Sequence, residues 1–333
     1  MADSSCCVFT NQKRLMLFSG RSNPALSVRI ADKLGINLGG VLLRTFANGE
    51  IYARFDESIR GADVFIVQSP SGTGHLNDEV MELLIMIQAA RLASARRITA
   101  VVPYYPYSRQ DKKSAAREPI TARLFATLLE ASGVDRVLSM DLHQGQIQGF
   151  FEKPVDHMTA VPMLADYFKY KDFRGTPLVA VSADAGGVKL AKRFINRIPD
   201  TDLAVLTKMR PGHNVAETMH FIGDVRDKIA IIVDDMIDTA GSIVSAIDTL
   251  YANGAKEVYV TATHGIFSGP AFERIRTSPV KEVVVTDTVS IQLGPQDTKV
   301  KVLSVADTLA NTIKNVFEDE SVSELFAGEN QLF

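Results

Sequence analysis

The sequence predicts an α/β protein built from two related domains, each a mainly parallel sheet flanked by helices. Three observations carry this expectation. Short runs rich in Val and Ile alternate with longer segments of helical period along the whole chain, which is the pattern of parallel sheets covered by helices. Two stretches can be laid over each other: strand 64–69, loop, helix and strand 98–103 against strand 229–235, loop, helix and strand 258–263. Their strand starts lie 34 and 29 residues apart, which suggests one duplicated unit. The length of 333 residues fits about two domains of roughly 100–200 residues each. The expected domains are 1–160 and 161–333, with a disordered tail over 1–13 and a last helix, about 306–318, packing back on the first.

Taken in order, LMLFSG (15–20) reads as the first strand. A helix opens at Pro24 behind Ser22 and Asn23, with Leu26, Ile30 and Leu34 on one face and Gly35 past its end. The apolar run 64–69 reads as a buried strand, followed by a Gly/Ser loop and a helix from Asn77 with Val80, Leu83, Leu84 and Ile87 inward. Strands 98–105 and 136–141 complete this half. In the second half, strand 178–184 leads through Gly186 and Gly187 into a basic helix, VKLAKRF. Residues 207–220, with Pro211, Gly212 and Asn214, read as a long mobile loop. Strand 229–235 runs into the turn MIDTAGS and a helix that Gly254 ends, and strands 258–263 and 283–288 follow.

Composition narrows the function. With 36 Lys+Arg against 39 Asp+Glu the net charge is −3, too little positive charge for a protein that coats nucleic acid. No stretch approaches the ~18 uninterrupted apolar residues of a membrane span, and no basic segment precedes an apolar run at the start as in a signal peptide. Cys6 and Cys7 are the only cysteines, so no disulfide framework exists and a reducing cytoplasm is expected.

The most informative segment is IAIIVDDMIDTAGS (229–242). An apolar strand ends in Asp234 and Asp235, and Asp238-Thr239-Ala240-Gly241-Ser242 turns directly into a helix. Small residues let a ligand approach the backbone, and the N–H groups at a helix start favour phosphate. Thr239 and Ser242 add hydroxyl donors, while the upstream carboxylates suit vicinal sugar hydroxyls. A phosphate beside a diol describes a sugar phosphate; a capped helix behind a solvated acidic turn is the plainer reading of the same residues.

This segment resembles the ribose-5-phosphate loop of type I phosphoribosyltransferases and of PRPP synthetases. The segments RITAVVPYYPYSRQDKK (97–113), MDLHQGQIQGFF (140–151), SADAGG (182–187), FANGE (46–50), THGIFSGPA (263–271) and SVSELF (321–326) narrow the resemblance. Together they resemble class I ribose-phosphate diphosphokinases, the PRPP synthetases, over about residues 14–326. A phosphoribosyltransferase is similar only over the second half, and no G-x-x-x-x-G-K-[ST] phosphate loop occurs. Taken alone, a basic loop, a single histidine or two cations in a loop are commonly structural or merely solvated.

The resemblance implies two type I phosphoribosyltransferase-like domains and transfer of the diphosphoryl group of Mg-ATP to the C1 hydroxyl of ribose 5-phosphate. The product, PRPP, serves nucleotide, histidine and tryptophan biosynthesis. It assigns Arg109 and Gln110 to ATP, with Phe46 stacking on adenine and Asn48, Gly49 and Glu50 on the nucleotide. In this family the 46–50 segment comes from a neighbouring subunit, which implies self-association, as a homohexamer. His143 and Asp184 are matched to Mg2+, Lys208 and Arg210 to catalysis in a closing loop, and Arg210, Asp234, Asp235, Asp238, Thr239, Ala240, Gly241 and Ser242 to the sugar phosphate.

The chain departs from the family at Ala183, where Pro is usual, at Ser242, where Thr is common, beside His143, and at Ser114-Ala115-Ala116. Arg60, Arg117 and Ser321 keep the pattern of the regulatory anion site, so regulation by ADP and phosphate is expected. The other readings are a non-catalytic regulatory subunit, expected to lose loop cations or sugar-site acids, and a type I phosphoribosyltransferase.

Overall fold

The computed structural model describes residues 13–71, 75–209 and 218–323, without the side chains of 207–209 and 218–220. The first half opens with β1 (Leu15–Ser19), α1 (Pro24–Leu34), the hairpin β2 (Val41–Thr45) and β3 (Ile51–Phe55), and β4 (Asp63–Val67). It continues through α2 (Leu76–Leu92), β5 (Arg97–Val101), α3 (Thr121–Ser132), β6 (Arg136–Met140) and β7 (Val155–Met158). Its sheet is wholly parallel, in the order β1-β4-β5-β6-β7.

The second half contains α4 (Val161–Lys169), β8 (Leu178–Ser182), α5 (Val188–Ile195), the hairpin β9 (Thr201–Met209) and β10 (Thr218–Ile222), and β11 (Ile229–Ile237). Then come α6 (Gly241–Ala252), β12 (Glu257–Gly265), α7 (Ala271–Thr277), β13 (Glu282–Thr286), β14 (Val300–Leu303) and α8 (Ala306–Glu318). The sheet order is β10-β9-β8-β11-β12-β13-β14, parallel except at β10. The five strands β8-β11-β12-β13-β14 repeat the connectivity of β1-β4-β5-β6-β7, and the two superposed sequence units fall on equivalent strands. Each half also inserts a hairpin between its first and second parallel strands: β2–β3 stands apart, whereas β9–β10 extends its sheet.

Strand limits differ from the sequence reading for identifiable reasons. β5 stops at Val101, before Pro103, which has no N–H for a ladder. β11 runs past its two carboxylates to Ile237 because it lies between β8 and β12 and pairs to the end with β12, Ile237 opposite Gly265. The ends of the expected 207–220 loop are strand: Lys208 lies opposite Met219 in the β9–β10 ladder. Residues 210–217, and with them Arg210, lie outside the described residues, as do 1–12 of the expected tail. Lys13 ion-pairs with Asp319 beyond α8.

α1 forms where the sequence places it. Asn23 Oδ1 accepts from Leu26 N at 3.3 Å, and Gly35 closes the helix at φ +68°, a conformation glycine adopts without steric cost. Leu26 and Ile30 of α1 lie with Leu309 and Ile313 of α8 in a core that also contains Leu17 and Val101 of the first sheet and Ile231 and Val284 of the second. One apolar core therefore joins the halves, and separate cores cover the outer faces of the two sheets. Polar bonds fasten the same seam: Asn23 Nδ2 donates to Asp287 O at 2.8 Å, Arg29 meets the Asp287 carboxylate at 2.8 Å, and His264 Nε2 donates to Met140 O at 3.0 Å.

Candidate active site

Ligand sites in parallel sheets lie beyond the carboxyl ends of the strands, and both sheets direct their strand-end loops to a common region. At the end of β11, Ile237 O accepts from Ile266 N at 2.9 Å and Phe267 N at 3.1 Å, which fixes where the chain leaves the sheet. Asp238 to Ala240 make the turn, Ala240 adopts φ +58°, and α6 starts at Gly241, where among the described residues no side chain caps its N–H groups. Left-handed backbone at a residue other than glycine stores strain of order 1–3 kcal/mol. Arg274 of α7 braces the turn, its Nη1 donating to Thr239 O at 2.8 Å. A side chain at Gly241 would come within 3.3 Å of that guanidinium nitrogen. Thr239 and Ser242 are exposed, and uncapped helix N–H groups beside them suit a phosphate.

One turn upstream, Asp235 N donates to Asp234 Oδ1 at 2.9 Å. His143, beyond β6 of the other sheet, places Nδ1 2.7 Å from Asp235 Oδ2. That bond raises the His143 pKa above the ordinary imidazole value. Burial works to raise Asp235, but the hydrogen bond and charge of His143 outweigh it and hold the carboxyl below its usual range. Burial and the adjacent Asp235 charge push Asp234 well above that range. Two neighbouring carboxyls thus hold different protonation tendencies.

Asp184 follows β8. Its Oδ1 accepts from Gly187 N at 2.9 Å, and its carbonyl accepts from Ser182 Oγ at 2.6 Å. These bonds close the turn without the proline that Ala183 replaces. Asp184, Asp234, Asp235 and His143 line one cavity of about 360 Å³ with Lys112 and Lys189. Among the described residues, no group of three or more His, Cys, Asp or Glu side chains could hold a metal unaided.

The basic loop after β5 reaches the turn between β11 and α6. Arg109 ion-pairs with Asp238. Burial tends to raise the Asp238 carboxyl, but bonds to Arg109 and Ser268 hold it below its usual range. Gln110 Oε1 accepts from Thr121 Oγ1 at 2.5 Å, and Gln110 O accepts from Ala122 N at 3.2 Å, so the start of α3 fixes this loop. Glu118 Oε2 accepts from Ser114 N and Ala115 N, both at 2.8 Å, which closes the Ser114-Ala115-Ala116 segment.

The structure therefore brings together Arg109, Asp238, His143, Asp235, Asp234 and Asp184. It does not bring FANGE to them. Phe46 to Glu50 form the tip of the β2–β3 hairpin, with Phe46 N bonded to Glu50 O at 2.8 Å, Asn48 Oδ1 accepting from Glu50 N at 3.2 Å and Gly49 at φ +92°. Phe46 is 52% exposed, its ring 6.0 Å from Tyr52. Among the described residues no bond joins Arg60, Arg117 and Ser321. Lys189 was legible in the sequence, since Lys189, Lys192 and Arg193 fall at helical spacing right after the glycine pair; Arg274, which braces the turn, carries no local signal.

Residues 15–133 match the N-terminal domain of ribose phosphate pyrophosphokinase, and residues 181–327 match the phosphoribosyl synthetase-associated domain. The chain is 48% identical over 316 residues to a ribose-phosphate pyrophosphokinase of Fusobacterium nucleatum, covering 95% of this chain and 99% of that one. It is 50% identical over 320 residues to the enzyme of the same name from Streptomyces avermitilis, covering 95% and 97%. The crystal structure of phosphoribosylpyrophosphate synthetase from Mycobacterium smegmatis superposes with a TM-score of 0.86 at 45% identity, over 92% of this chain and all of that one.

Proposed function

The chain belongs to the ribose-phosphate pyrophosphokinase family, and we propose on that footing how its own residues move a diphosphoryl group from ATP to ribose 5-phosphate. The C1 hydroxyl attacks the β-phosphorus of ATP and gives up its proton to solvent, the bond from that phosphorus to the α–β bridging oxygen breaks, and AMP leaves as PRPP forms. The observation that carries this reading is the meeting of the two half-sites. His143 and Arg109 come from the first half, and each bonds a carboxylate of the β11 turn, Asp235 and Asp238.

In this reading the uncapped start of α6, with Thr239, Ala240, Gly241 and Ser242, holds the 5-phosphate, and Asp234, Asp235 and Asp238 face the ribose hydroxyls. Arg109 and Gln110 hold ATP. Phe46, Asn48, Gly49 and Glu50 sit on a projecting hairpin, so we assign them to the adenine pocket of a second copy in a homohexamer. Lys208 and Arg210 supply positive charge at the transferring group.

The donor set suits Mg2+. This ion takes one or two carboxylates along with phosphate oxygens and water, so the lack of a protein cage is no obstacle. Asp184 offers a carboxylate whose Oδ1 accepts from Gly187 N and whose Oδ2 is not engaged among the described residues. His143 in its neutral form donates from Nδ1 to Asp235 and presents Nε2, the arrangement usual for a metal-bound histidine. Bound there, the ion would neutralise polyphosphate charge. The residues do the positioning, since phosphoryl-type transfer is catalysed mainly by orientation and electrostatics. We place the enzyme in the cytoplasm; no described helix is long and apolar enough to cross a membrane.

The substitution Lys208→Ala tests the assignment of charge. A cation supplied this way is worth ~10³–10⁵ in rate. Turnover should fall by about that factor while ATP affinity changes little, and a variant with near-normal turnover would remove Lys208 from the mechanism.

A further inference from the structure

Two residues before His143, Asp141 lines the same cavity, its Oδ1 4.0 Å from an Arg193 guanidinium nitrogen, yet it is not among the residues assigned above to ATP, metal or sugar phosphate. It is 3% exposed and adopts φ +37°, a strained backbone for a residue other than glycine. Its Oδ2 accepts from Ala160 N at 2.8 Å, where the chain enters the second half, and from Thr263 Oγ1 at 2.7 Å on β12. Its N–H donates to Met158 O at 2.9 Å, and its carbonyl accepts from His264 Nε2 at 3.2 Å. The next residue is held as well: Leu142 N donates to His157 Nε2 at 2.9 Å. The backbone leading into His143 is thus fastened to β7, to the link between the halves and to β12 within two residues.

Resting on the reading of the site given above, we propose that Asp141 is a positioning residue that sets His143 against Asp235. Its carboxylate is the clasp between the half-sites, because one oxygen holds the link at Ala160 and β12 at Thr263 at once. The strained φ is maintained by these bonds, and without the carboxylate the 141–143 turn is free to relax. His143 belongs to the first sheet and Asp235 to the second, so any relaxation moves one relative to the other. A displacement of about 1 Å can cost about 100-fold in rate. The geometry also limits the effect. The sugar-phosphate turn is braced separately by Arg274, and Arg109 meets Asp238 without Asp141.

The test compares Asp141→Ala, Thr263→Val and His143→Ala with the two double variants containing His143→Ala. Asp141→Ala should lower kcat about 100-fold. Thr263→Val, which removes one bond to the carboxylate and keeps the shape, should lower it about 10-fold. In both, KM for ribose 5-phosphate should stay within about threefold of the wild-type value. Each double variant should lose little beyond His143→Ala alone, because residues acting through one another are not additive. Wild-type kcat in the folded single variants, or losses that multiply with that of His143→Ala, would overturn the proposal. If Asp141→Ala does not fold, Thr263→Val and its double variant decide alone. Wild-type turnover in His143→Ala would instead sink the assignment of His143 itself, so failure of the site and failure of the clasp are distinguishable.

Discussion

At the scale of single residues, the proposed chemistry rests on carboxylates whose environments differ within a few residues of chain. Asp238 is held ionised by Arg109 and Ser268, and Asp234 is driven toward its protonated form by burial beside Asp235. Asp238→Asn removes the charge that faces Arg109 and, in the proposed reading, the sugar. Hydrogen bonds to charged groups contribute about 1.5–3 kcal/mol, so ribose 5-phosphate should bind ~10–150-fold more weakly, as titration calorimetry can measure. Unchanged affinity would take Asp238 out of the sugar site.

The histidines also make stability depend on pH. Burial holds His264 below its ordinary value, with Nε2 donating to Met140 O and Nδ1 facing Thr288 Oγ1. A group lowered in this way is protonated first in the unfolded chain, so its contribution is present above the unfolded value near 6.5 and fades as pH falls. His157 is lowered too, whereas His143, raised by Asp235, contributes in the opposite sense. Comparison with His264→Asn isolates one residue. The stability advantage of the wild type, read from urea unfolding, should shrink between about pH 7.5 and about pH 5.5. An advantage that grows on acidification would contradict the buried neutral imidazole.

At the scale of elements, the turn from β11 into α6 combines strain with ligand geometry. Ala240→Gly removes the left-handed penalty but loosens the unfolded chain. Stability should therefore change by no more than about 1 kcal/mol, upward if at all, while KM for ribose 5-phosphate rises as the loop loses definition. A loss well beyond that would contradict the left-handed turn at Ala240. This turn was legible in the sequence because Asp, Thr, Ala, Gly and Ser between a β-branched run and a helical period have few other uses. So was α1, whose Asn-Pro start and Gly stop are local signals. The β2–β3 hairpin was not, because Phe46 to Glu50 resemble any Asn-Gly turn and the flanking strands are short and half exposed. The clasp at Asp141 was also invisible, since its partners Ala160 and Thr263 are brought to it only by tertiary folding. The lengths of β5 and β11 depended likewise on neighbours: Pro103 ended one ladder, and β12 prolonged the other.

At the scale of the molecule, the same five-strand order recurs in both halves, yet the halves are not independent bodies. α1 and α8 share a core with both sheets, so thermal unfolding should appear in calorimetry as one transition. Ile313→Ala, in the middle of that core, should lower stability by about 2–5 kcal/mol. Two separated transitions would show that the halves fold apart. The projecting hairpin makes a second statement at this scale. If its tip completes a neighbour's adenine pocket, then Phe46→Ala and Lys208→Ala enzymes, each impaired, should regain activity when mixed and reassociated, because some sites then receive both intact residues. No recovery would confine each site to one chain. The central claim is the reaction itself, and nucleotide product analysis tests it most directly. With Mg2+, ATP and ribose 5-phosphate, the protein should release AMP in equal amount to PRPP and none without the sugar phosphate. Formation of ADP, or AMP release indifferent to ribose 5-phosphate, would contradict it.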